Sequence, residues 1–459
     1  MRLTRSTAVF AALLSLAMVA TAAQPSLAAP AGTTTTEWTT TFSAPHHDNV
    51  AAGPAKNTPM KAADGGRLPA SMRHLDPKLQ SDLAAQRANP QVYDAYAHDL
   101  EDTASAAGVE DWMTLEQCKT GWDSRPVGTY WYYRNHYSAC QVTDNVATVS
   151  KCTSTGCQIT GSTYVRIAYI GALSHTARSF TWTAHLFGWK TVGDYVGSVR
   201  LSIEVPCRSY ANVGTCTVSP EWGYVKTLDQ WKTTASVVFT YSTTTPRPAP
   251  NDPHPADKIA NFNIAPQAIA EGPTNPPPNP LTVVRCDNAA YMTGAGCTFT
   301  GVFGNFHISY NRPESKESVE FIWKAMHHLD QIIDDAVGLY VPGGYYPQPV
   351  TGFLEPLTRN YYGNTSRTKV QNECKRKFGD DYVTNRADGV KCDCDEYPFA
   401  STYQSANYDT IGTAATWAVA QVDLRHNRSA GAVLGAWQQN DHILDGDPFF
   451  VTIDDAPQD

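Results

Sequence analysis

The sequence predicts a multidomain protein, with an all-β N-terminal domain followed by an α/β C-terminal domain. Residues 111–243 form short β-branched and aromatic runs separated by turn residues, which is typical of an antiparallel sandwich or a barrel-like sheet. Residues 244–280 are rich in proline and are typical of a linker. Beyond residue 312, apolar residues recur at three- and four-residue steps, which indicates an amphipathic helix.

The first 29 residues are predicted to be a secretory signal peptide. Arg2 and Arg5 precede an apolar run from Ala8 to Ala20, and small residues at 26–28 resemble a cleavage site. This run is too short for a membrane helix, and no similar run follows it. We therefore expect a secreted, extracellular protein with no membrane span. Residues 30–110 show no sustained strand pattern and are predicted to be a pro-segment or a flexible stalk.

The eleven cysteines fit an oxidising compartment, so we expect the β-domain to be stapled by disulfides. Eight of them fall into close couples that favour local bridges: Cys118/Cys140, Cys152/Cys157, Cys207/Cys216 and Cys286/Cys297. Cys374, Cys392 and Cys394 form a trio in which one thiol is left over, and Cys392 or Cys394 is the expected one. Zinc ligation by the trio is the alternative, disfavoured because no second close pair accompanies it.

Five segments of the β-domain are predicted strands: 130–133, 164–170, 179–185, 199–205 and 235–241. Their aromatic side chains suit either an unknown carbohydrate or peptide ligand, or cross-strand packing alone. No catalytic constellation is apparent in this domain. The sequence therefore directs the search for chemistry to the C-terminal half.

The C-terminal domain is predicted to span residues 281–459, beyond a linker at 244–280 that a short apolar patch, Ile259 to Ile269, interrupts. Residues 281–311 contain strands that suit either side of the boundary. We also predict a helix from Glu317 to Leu339 and a small-residue helix from Ala430 to Gln439.

The net charge of −9 arises in the C-terminal part of the chain. The first 300 residues carry 22 basic and 22 acidic side chains, and the remainder carries 13 and 22. An acidic domain argues against broad electrostatic capture of nucleic acid. If this domain handles phosphates, it needs a metal ion and a few well-placed arginines.

Three carboxylates occupy four successive positions near residue 394: Asp393, Asp395 and Glu396. On a strand, Asp393 and Asp395 would share one face and Glu396 would lie on the other. Neighbouring carboxylates repel one another, so such a site favours a divalent cation or an unusually firmly held proton. A solvated acidic turn is the alternative interpretation.

The motif D-x-D-E-[WY]-P-x-A at Asp393–Ala400, followed by N-R-x-x-G at Asn427–Gly431, resembles the NucA/NucB deoxyribonuclease family over about residues 305–455. These are secreted bacterial DNases. The segment order fits as well, with Pro-Glu before a helix and with Arg359 and Arg367 before the motif. The resemblance implies a compact α/β nuclease similar to the ββα-metal group, with DNA as substrate and Mg²⁺, Mn²⁺ or Ca²⁺ as cofactor.

The resemblance also implies residue roles. Asp395 is the expected general base, and Glu396 either binds the metal ion through water or adjusts the pKa of Asp395. Asn427 is expected to bind the ion through its carboxamide oxygen, alongside Asp393 and Asp395, although a helix N-cap is the alternative for Asn427. Arg428 is expected to hold a phosphate.

One position departs from the family, which usually has a glutamate where this chain has Gln404. As a metal ligand, Gln404 keeps an oxygen but loses the charge, so weaker metal binding and reduced activity are expected.

The predicted activity is metal-dependent endonucleolytic hydrolysis of DNA, without sequence specificity because no base-reading helix is apparent. One alternative is a catalytically degenerate extracellular binding or adhesion protein. A glycoside hydrolase is disfavoured, because adjacent strand residues point opposite ways and cannot face each other across a sugar.

Overall fold

A computed structural model describes the backbone of residues 34–41 and, in full, residues 112–124, 130–209, 214–244, 259–270, 281–346, 354–363, 367–406 and 415–457. The predicted signal peptide and most of the predicted pro-segment lie outside these residues. The strands are β1 (Thr34–Thr41), β2 (Tyr132–Asn135), β3 (Ser138–Thr153), β4 (Gly156–Leu173), β5 (Ser179–Gly193), β6 (Arg200–Glu204), β7 (Cys207–Ser209), β8 (Cys216–Ser219), β9 (Tyr224–Thr227), β10 (Ser236–Thr243), β11 (Ala260–Ile264), β12 (Gln267–Ala270), β13 (Thr282–Asp287), β14 (Gly296–Phe299), β15 (Gly304–Ser309), β16 (Leu357–Thr358), β17 (Cys392–Tyr397), β18 (Ala418–Asp423) and β19 (Pro448–Asp454). The α-helices are α1 (Leu115–Ser124), α2 (Leu228–Lys232), α3 (Lys316–His327), α4 (Arg367–Phe378) and α5 (Leu424–Asn440).

The N-terminal part is an antiparallel β-structure, as predicted. Its largest sheet has the order β1-β3-β4-β5-β10-β8, with β2 also paired to β3. Two smaller sheets, β14-β13-β11-β7 and β12-β6-β9, share one buried core with it. In β10, Val237, Phe239 and Tyr241 are buried while the residues between them are exposed. This alternation buries one face of the strand, which is why the sequence pattern predicted it.

The predicted linker requires correction in its middle part. Residues 260–264 form β11, which pairs with β13 and β7, and residues 267–270 form β12 on β6. Phe262 and Ile264 are buried in the core of the β-domain, because alternation along these strands places every second side chain inside. Val302 packs on the same core, so the β-domain extends to about that residue and the boundary does not fall at 281. The strand β1 likewise lies in a region predicted to lack one.

The C-terminal part combines helices with short strands. β15 pairs in parallel with β19, which also pairs with β16, and β17 pairs antiparallel with β18. One core draws on α3, α5 and the strands around them, with Phe306, Ile322, Tyr397, Leu434 and Phe449 buried, while Val370 and Cys374 of α4 lie in a separate smaller cluster. The domain is therefore α/β, as predicted.

Two helix boundaries differ from the predicted ones. α3 ends at His327, well before Leu339, although the apolar spacing continues. Leu329 beyond the helix is still buried, but the apolar stripe does not continue to the predicted end, since Val337 is 97% exposed. α5 begins at Leu424, before Ala430, because Asp423 caps it by accepting a hydrogen bond from the backbone N–H of Arg425.

The four predicted local disulfides are confirmed. Cys374 of α4 bonds to Cys394 of β17, and the left-over cysteine is Cys392, which is buried. Disulfide bonds therefore cross-link residues within the β-domain and within the C-terminal part of the chain. Among the described residues, no helix is both long enough and apolar enough to cross a bilayer.

Buried polar contacts join the two parts at residues 441–447, between α5 and β19. The Arg285 guanidinium donates to the Asp447 carboxylate at 2.5 Å and to the backbone carbonyl of His442 at 2.7 Å. The His442 imidazole lies 3.1 Å from the Asp287 carboxylate. Since Arg285 and Asp287 belong to β13, the β-domain directly fixes the segment that follows α5.

Candidate functional site

A pocket of about 450 Å³ lies between β17, α4 and α5, with Ile322 of α3 at one wall. Its polar lining includes Asp393, Asp395, Glu396, Arg367, Asn427 and Gln438. The three residues of the acidic motif therefore line the same pocket as Asn427, the amide predicted to act with them. β17 and β18 form an antiparallel pair, and α5 follows β18 without a break, which brings the two sequence motifs together.

Asp395 is the most perturbed acid of the pocket. Its Oδ1 accepts a hydrogen bond from the backbone N–H of Glu396 at 2.9 Å. Its Oδ2 is buried, although the residue as a whole is partly exposed, and the buried Ser318 hydroxyl interacts with the carboxyl. Burial raises the pKa of Asp395 to about 6, against the lowering effect of the nearby Ser318 hydroxyl. The carboxylate is therefore poised to change its protonation state close to neutral pH.

The other two acids border the same pocket. Asp393 Oδ1 accepts from the backbone N–H of Cys394 at 2.9 Å. Glu396 also lines the pocket, although alternation predicts that it lies on the opposite face from Asp395. All four residues from Asp393 to Glu396 line the pocket, so it reaches both faces of β17.

Asn427 lies in the first turn of α5. It lines the pocket together with Ala430, Gly431 and Leu434, which follow at helical spacing. The alternative that Asn427 caps the helix is wrong, because Asp423 is the cap. A side-chain carbon added at Gly431 would meet nothing within 4 Å, so the small residue leaves this wall of the pocket open.

The arginines occupy three different environments. Arg367, at the start of α4, lines the pocket. Arg428 is exposed and is not part of the lining, so its predicted role with a phosphate stays a prediction. Arg359 is buried and donates to the backbone carbonyl of Ile443, so its guanidinium stabilises the interior of the protein.

Gln404 lies away from the pocket lining. Its Oε1 accepts from the backbone N–H of Thr358 at 2.9 Å, and its Nε2 donates to the Thr358 hydroxyl at 3.1 Å. The side chain thus holds the end of β16 with both of its polar atoms. Its position gives no support to the expectation that it binds a metal ion.

Two residues of α3 support the site and were missed from the sequence. Ser318 is fully buried beside Asp395. Glu317 accepts a hydrogen bond from the backbone N–H of Asp423 at 2.7 Å and pairs with Arg386 at 2.7 Å, which fixes the start of α5. A serine in the buried stripe of an amphipathic helix was the available signal.

The donor set suits a hard divalent cation. Such ions prefer carboxylate and amide oxygens, and Mg²⁺ in particular keeps several waters and needs only one or two protein carboxylates. Asp393, Asp395 and Asn427 offer such oxygens around one pocket. No group of three His, Cys, Asp or Glu side chains is already gathered as a metal site within the described ranges.

The comparison with protein families identifies this region. Residues 353–452 match the model of the family Deoxyribonuclease NucA/NucB. The match confirms the family predicted for the C-terminal region. It spans α4, β17, β18 and α5, and so includes every polar residue named in the pocket lining.

The family match does not extend to α3 or to the β-domain. No curated protein and no solved structure matches the chain. The supporting contacts from Glu317 and Ser318 therefore come from outside the matched segment.

Proposed function

We propose that the protein is a secreted, divalent-metal-dependent deoxyribonuclease that hydrolyses DNA phosphodiester bonds without sequence specificity. The observation that carries the proposal is the buried Oδ2 of Asp395, in a pocket shared with Asn427 and inside the segment that matches a DNase family. The order strand, strand, helix at β17, β18 and α5 suits the expected ββα-metal arrangement.

Asp395 is proposed as the general base. Its two oxygens are in different situations, since Oδ1 is held by the Glu396 amide while Oδ2 is left for the proton of an attacking water. A base with a pKa of about 6 is ionised at neutral pH and still accepts a proton readily. Glu317 and Ser318 keep the surrounding helices in place while this happens.

Asp393 and Asn427 would hold the cation, with Glu396 acting through water. A bound divalent ion supplies stabilisation of the negative charge that develops on the scissile phosphate. Arg367 is the cationic side chain that lines the pocket, so we assign it to a phosphate oxygen. Arg428 is exposed on α5 and is proposed to contact a phosphate outside the pocket.

The alternative of a degenerate binding protein depended on the missing glutamate at Gln404. Because Gln404 is bonded to Thr358 and lies off the pocket lining, the lost charge removes nothing from the proposed cation site. The five disulfides support the proposal of an extracellular enzyme, since such bonds persist in oxidising compartments.

The test is plasmid nicking by the purified protein with Mg²⁺, Mn²⁺ or Ca²⁺, and with EDTA. We expect cation-dependent cleavage that falls by a factor on the order of 10² or more in Asp395→Asn, the usual contribution of a general base. The matched control is Asp330→Asn, which removes an exposed carboxylate outside the pocket and should leave the rate unchanged. The absence of cleavage with every ion, from a folded protein, would refute the proposal.

A further inference from the structure

Two tyrosines directly follow a residue that is bonded to the pocket lining. The backbone N–H of Asn360 donates to the carbonyl of Ser401, a pocket residue, at 2.7 Å. Tyr361 and Tyr362, directly after Asn360, are 47% and 40% exposed. Two large aromatic side chains thus stay in solvent next to the proposed DNA-cleaving pocket.

The aromatic rings are arranged before any ligand arrives. Tyr361 stacks on Tyr291 with ring centroids 3.8 Å apart and planes 20° apart, and Tyr362 stands perpendicular to both. The Arg359 guanidinium lies 5.3 Å from the Tyr291 ring and 5.5 Å from the Tyr361 ring. One face of Tyr361 is therefore covered by Tyr291, and its exposure comes from the rest of the ring.

Buried Asp445 holds the backbone beneath these rings. Its Oδ1 accepts from the backbone N–H of Tyr361 at 2.7 Å, and its carboxylate accepts from the Tyr403 hydroxyl at 3.1 Å. Its own backbone N–H donates to the Tyr291 hydroxyl at 2.8 Å. Because the backbone is already held in place, less conformational entropy is lost when a ligand binds the exposed rings.

The tyrosines are within reach of a strand that passes through the pocket. One Cα–Cα step of about 3.8 Å separates Asn360 from Tyr361. The Tyr361 backbone is therefore roughly 10 Å or less from the Ser401 carbonyl, which is close enough for a base near a phosphate held in the pocket to reach the ring.

We propose that Tyr361 and Tyr362 form a stacking platform for an unpaired base of the DNA strand whose phosphate lies in the pocket. Aromatic side chains beside a backbone-binding groove bind single strands in this way, because every base has a π-face. In a duplex those faces are covered by neighbouring bases, so the platform favours single-stranded or locally opened DNA. Tyr291 comes from the loop after β13, and the β-domain thereby contributes to substrate binding. This inference rests on the proposed function.

The test measures binding without cleavage. A fluorescein-labelled short oligothymidine and a blunt duplex of the same length are titrated in EDTA, with fluorescence anisotropy as the readout. We expect wild type to bind the single strand more tightly. Tyr361→Ala should weaken single-strand binding about tenfold, the usual effect of removing one stacked aromatic, with little change for the duplex. Tyr361→Phe keeps the ring and should bind like wild type.

The matched control is Tyr164→Ala, which removes an exposed tyrosine of β4 and should leave both affinities unchanged. Thermal unfolding of each variant verifies the fold, and Tyr362→Ala provides a second test if Tyr361→Ala unfolds. Equal loss of single-strand and duplex binding, no loss in either variant, or no single-strand binding by wild type would each overturn the platform. If plasmid nicking still depends on the metal ion and on Asp395 in those cases, the proposed nuclease activity is not refuted.

Discussion

At the scale of one residue, Asp395 shows how a group placed for function can destabilise the folded protein. Burial favours the protonated form of its carboxyl, which is why the pKa of Asp395 is raised to about 6 although hydrogen bonds from Ser318 and the Glu396 N–H oppose the shift. Above the ordinary pKa of an aspartate the unfolded chain ionises freely, while the folded chain resists ionisation. Folding therefore loses stability as the pH rises from about 4 to about 6, and that loss persists at higher pH.

We predict that Asp395→Asn lowers the cleavage rate by a factor on the order of 10² or more yet raises the melting temperature at pH 8 by about 2–4 °C, since the buried charge is removed. At pH 4, where the wild-type carboxyl is protonated, the two proteins should melt together. Calorimetry at both pH values measures this. A variant that melts lower at pH 8 would show that Asp395 is stabilised by a contact that the structure does not contain.

Gln404 is the opposite example. The sequence indicated it as a candidate metal ligand, but its hydrogen bonds stabilise the fold. We predict that Gln404→Ala lowers the free energy of unfolding by about 1–3 kcal/mol, because the Thr358 backbone N–H loses its acceptor. The cation concentration for half-maximal cleavage should not change. Gln404→Glu keeps an acceptor and is the control. A tenfold higher cation requirement in the alanine variant, with unchanged stability, would make Gln404 a metal ligand after all.

At the scale of elements, the site depends on where α5 begins. Asp423 terminates β18, caps α5 through Arg425 N–H and pairs with the Arg425 guanidinium at 2.6 Å. The Arg425 side chain is largely exposed, so the cap matters more than the ion pair. A first turn fixed at this point places Asn427 against the acidic strand.

We predict that Asp423→Ala costs about 0.5–2 kcal/mol of stability, the usual cost of losing a helix cap. It should also raise the cation concentration needed for cleavage, because Asn427 loses its fixed position. Asp423→Ser retains a capping oxygen and should recover most of both properties. Urea unfolding measures the stability, and titration of plasmid nicking with the cation measures the cation requirement. An unchanged cation requirement in Asp423→Ala would show that the helix cap does not affect the site.

At the scale of the whole molecule, the two parts of the chain share buried charges. Arg285 of the β-domain has its guanidinium between Asp447 and the His442 carbonyl, and all of these groups are buried or nearly so. Desolvated charges are tolerated only while they are paired. The β-domain and the nuclease-family segment are therefore expected to depend on each other for stability.

We predict that Arg285→Ala lowers the free energy of unfolding by about 3–5 kcal/mol, because buried Asp447 loses its guanidinium partner and keeps a hydrogen bond from the Leu444 N–H. Arg208→Ala, at an exposed position of β7, is the control and should change little. Unfolding in urea, followed by tryptophan fluorescence, gives the comparison. A loss below about 1 kcal/mol would mean that the two parts are stable independently.

Local features of this chain could be predicted and long-range ones could not. Cysteine couples close in sequence gave the correct disulfides, and the motifs around Asp395 and Asn427 predicted a shared site because they belong to one recognisable pattern. The linker was misjudged because proline content outweighed the alternation of β11 and β12. Ser318 and Tyr291 lie far in sequence from the residues that they support, and nothing in their local pattern specifies those contacts.

The bond between Cys374 and Cys394 ties α4 to the strand that carries Asp393 and Asp395. A loop of this size stabilises a fold by roughly 3 kcal/mol, so the pocket should be poorly formed while both sulfurs are thiols. On the proposed function, the protein would then cleave DNA only weakly while in a reducing cytoplasm and fully after oxidation, which would limit damage to the DNA of the cell that makes it. The contribution of the bond is measured by comparing the nicking rates before and after reduction. The variant Cys374→Ser/Cys394→Ser, which cannot form the bond, is the reference for the reduced protein.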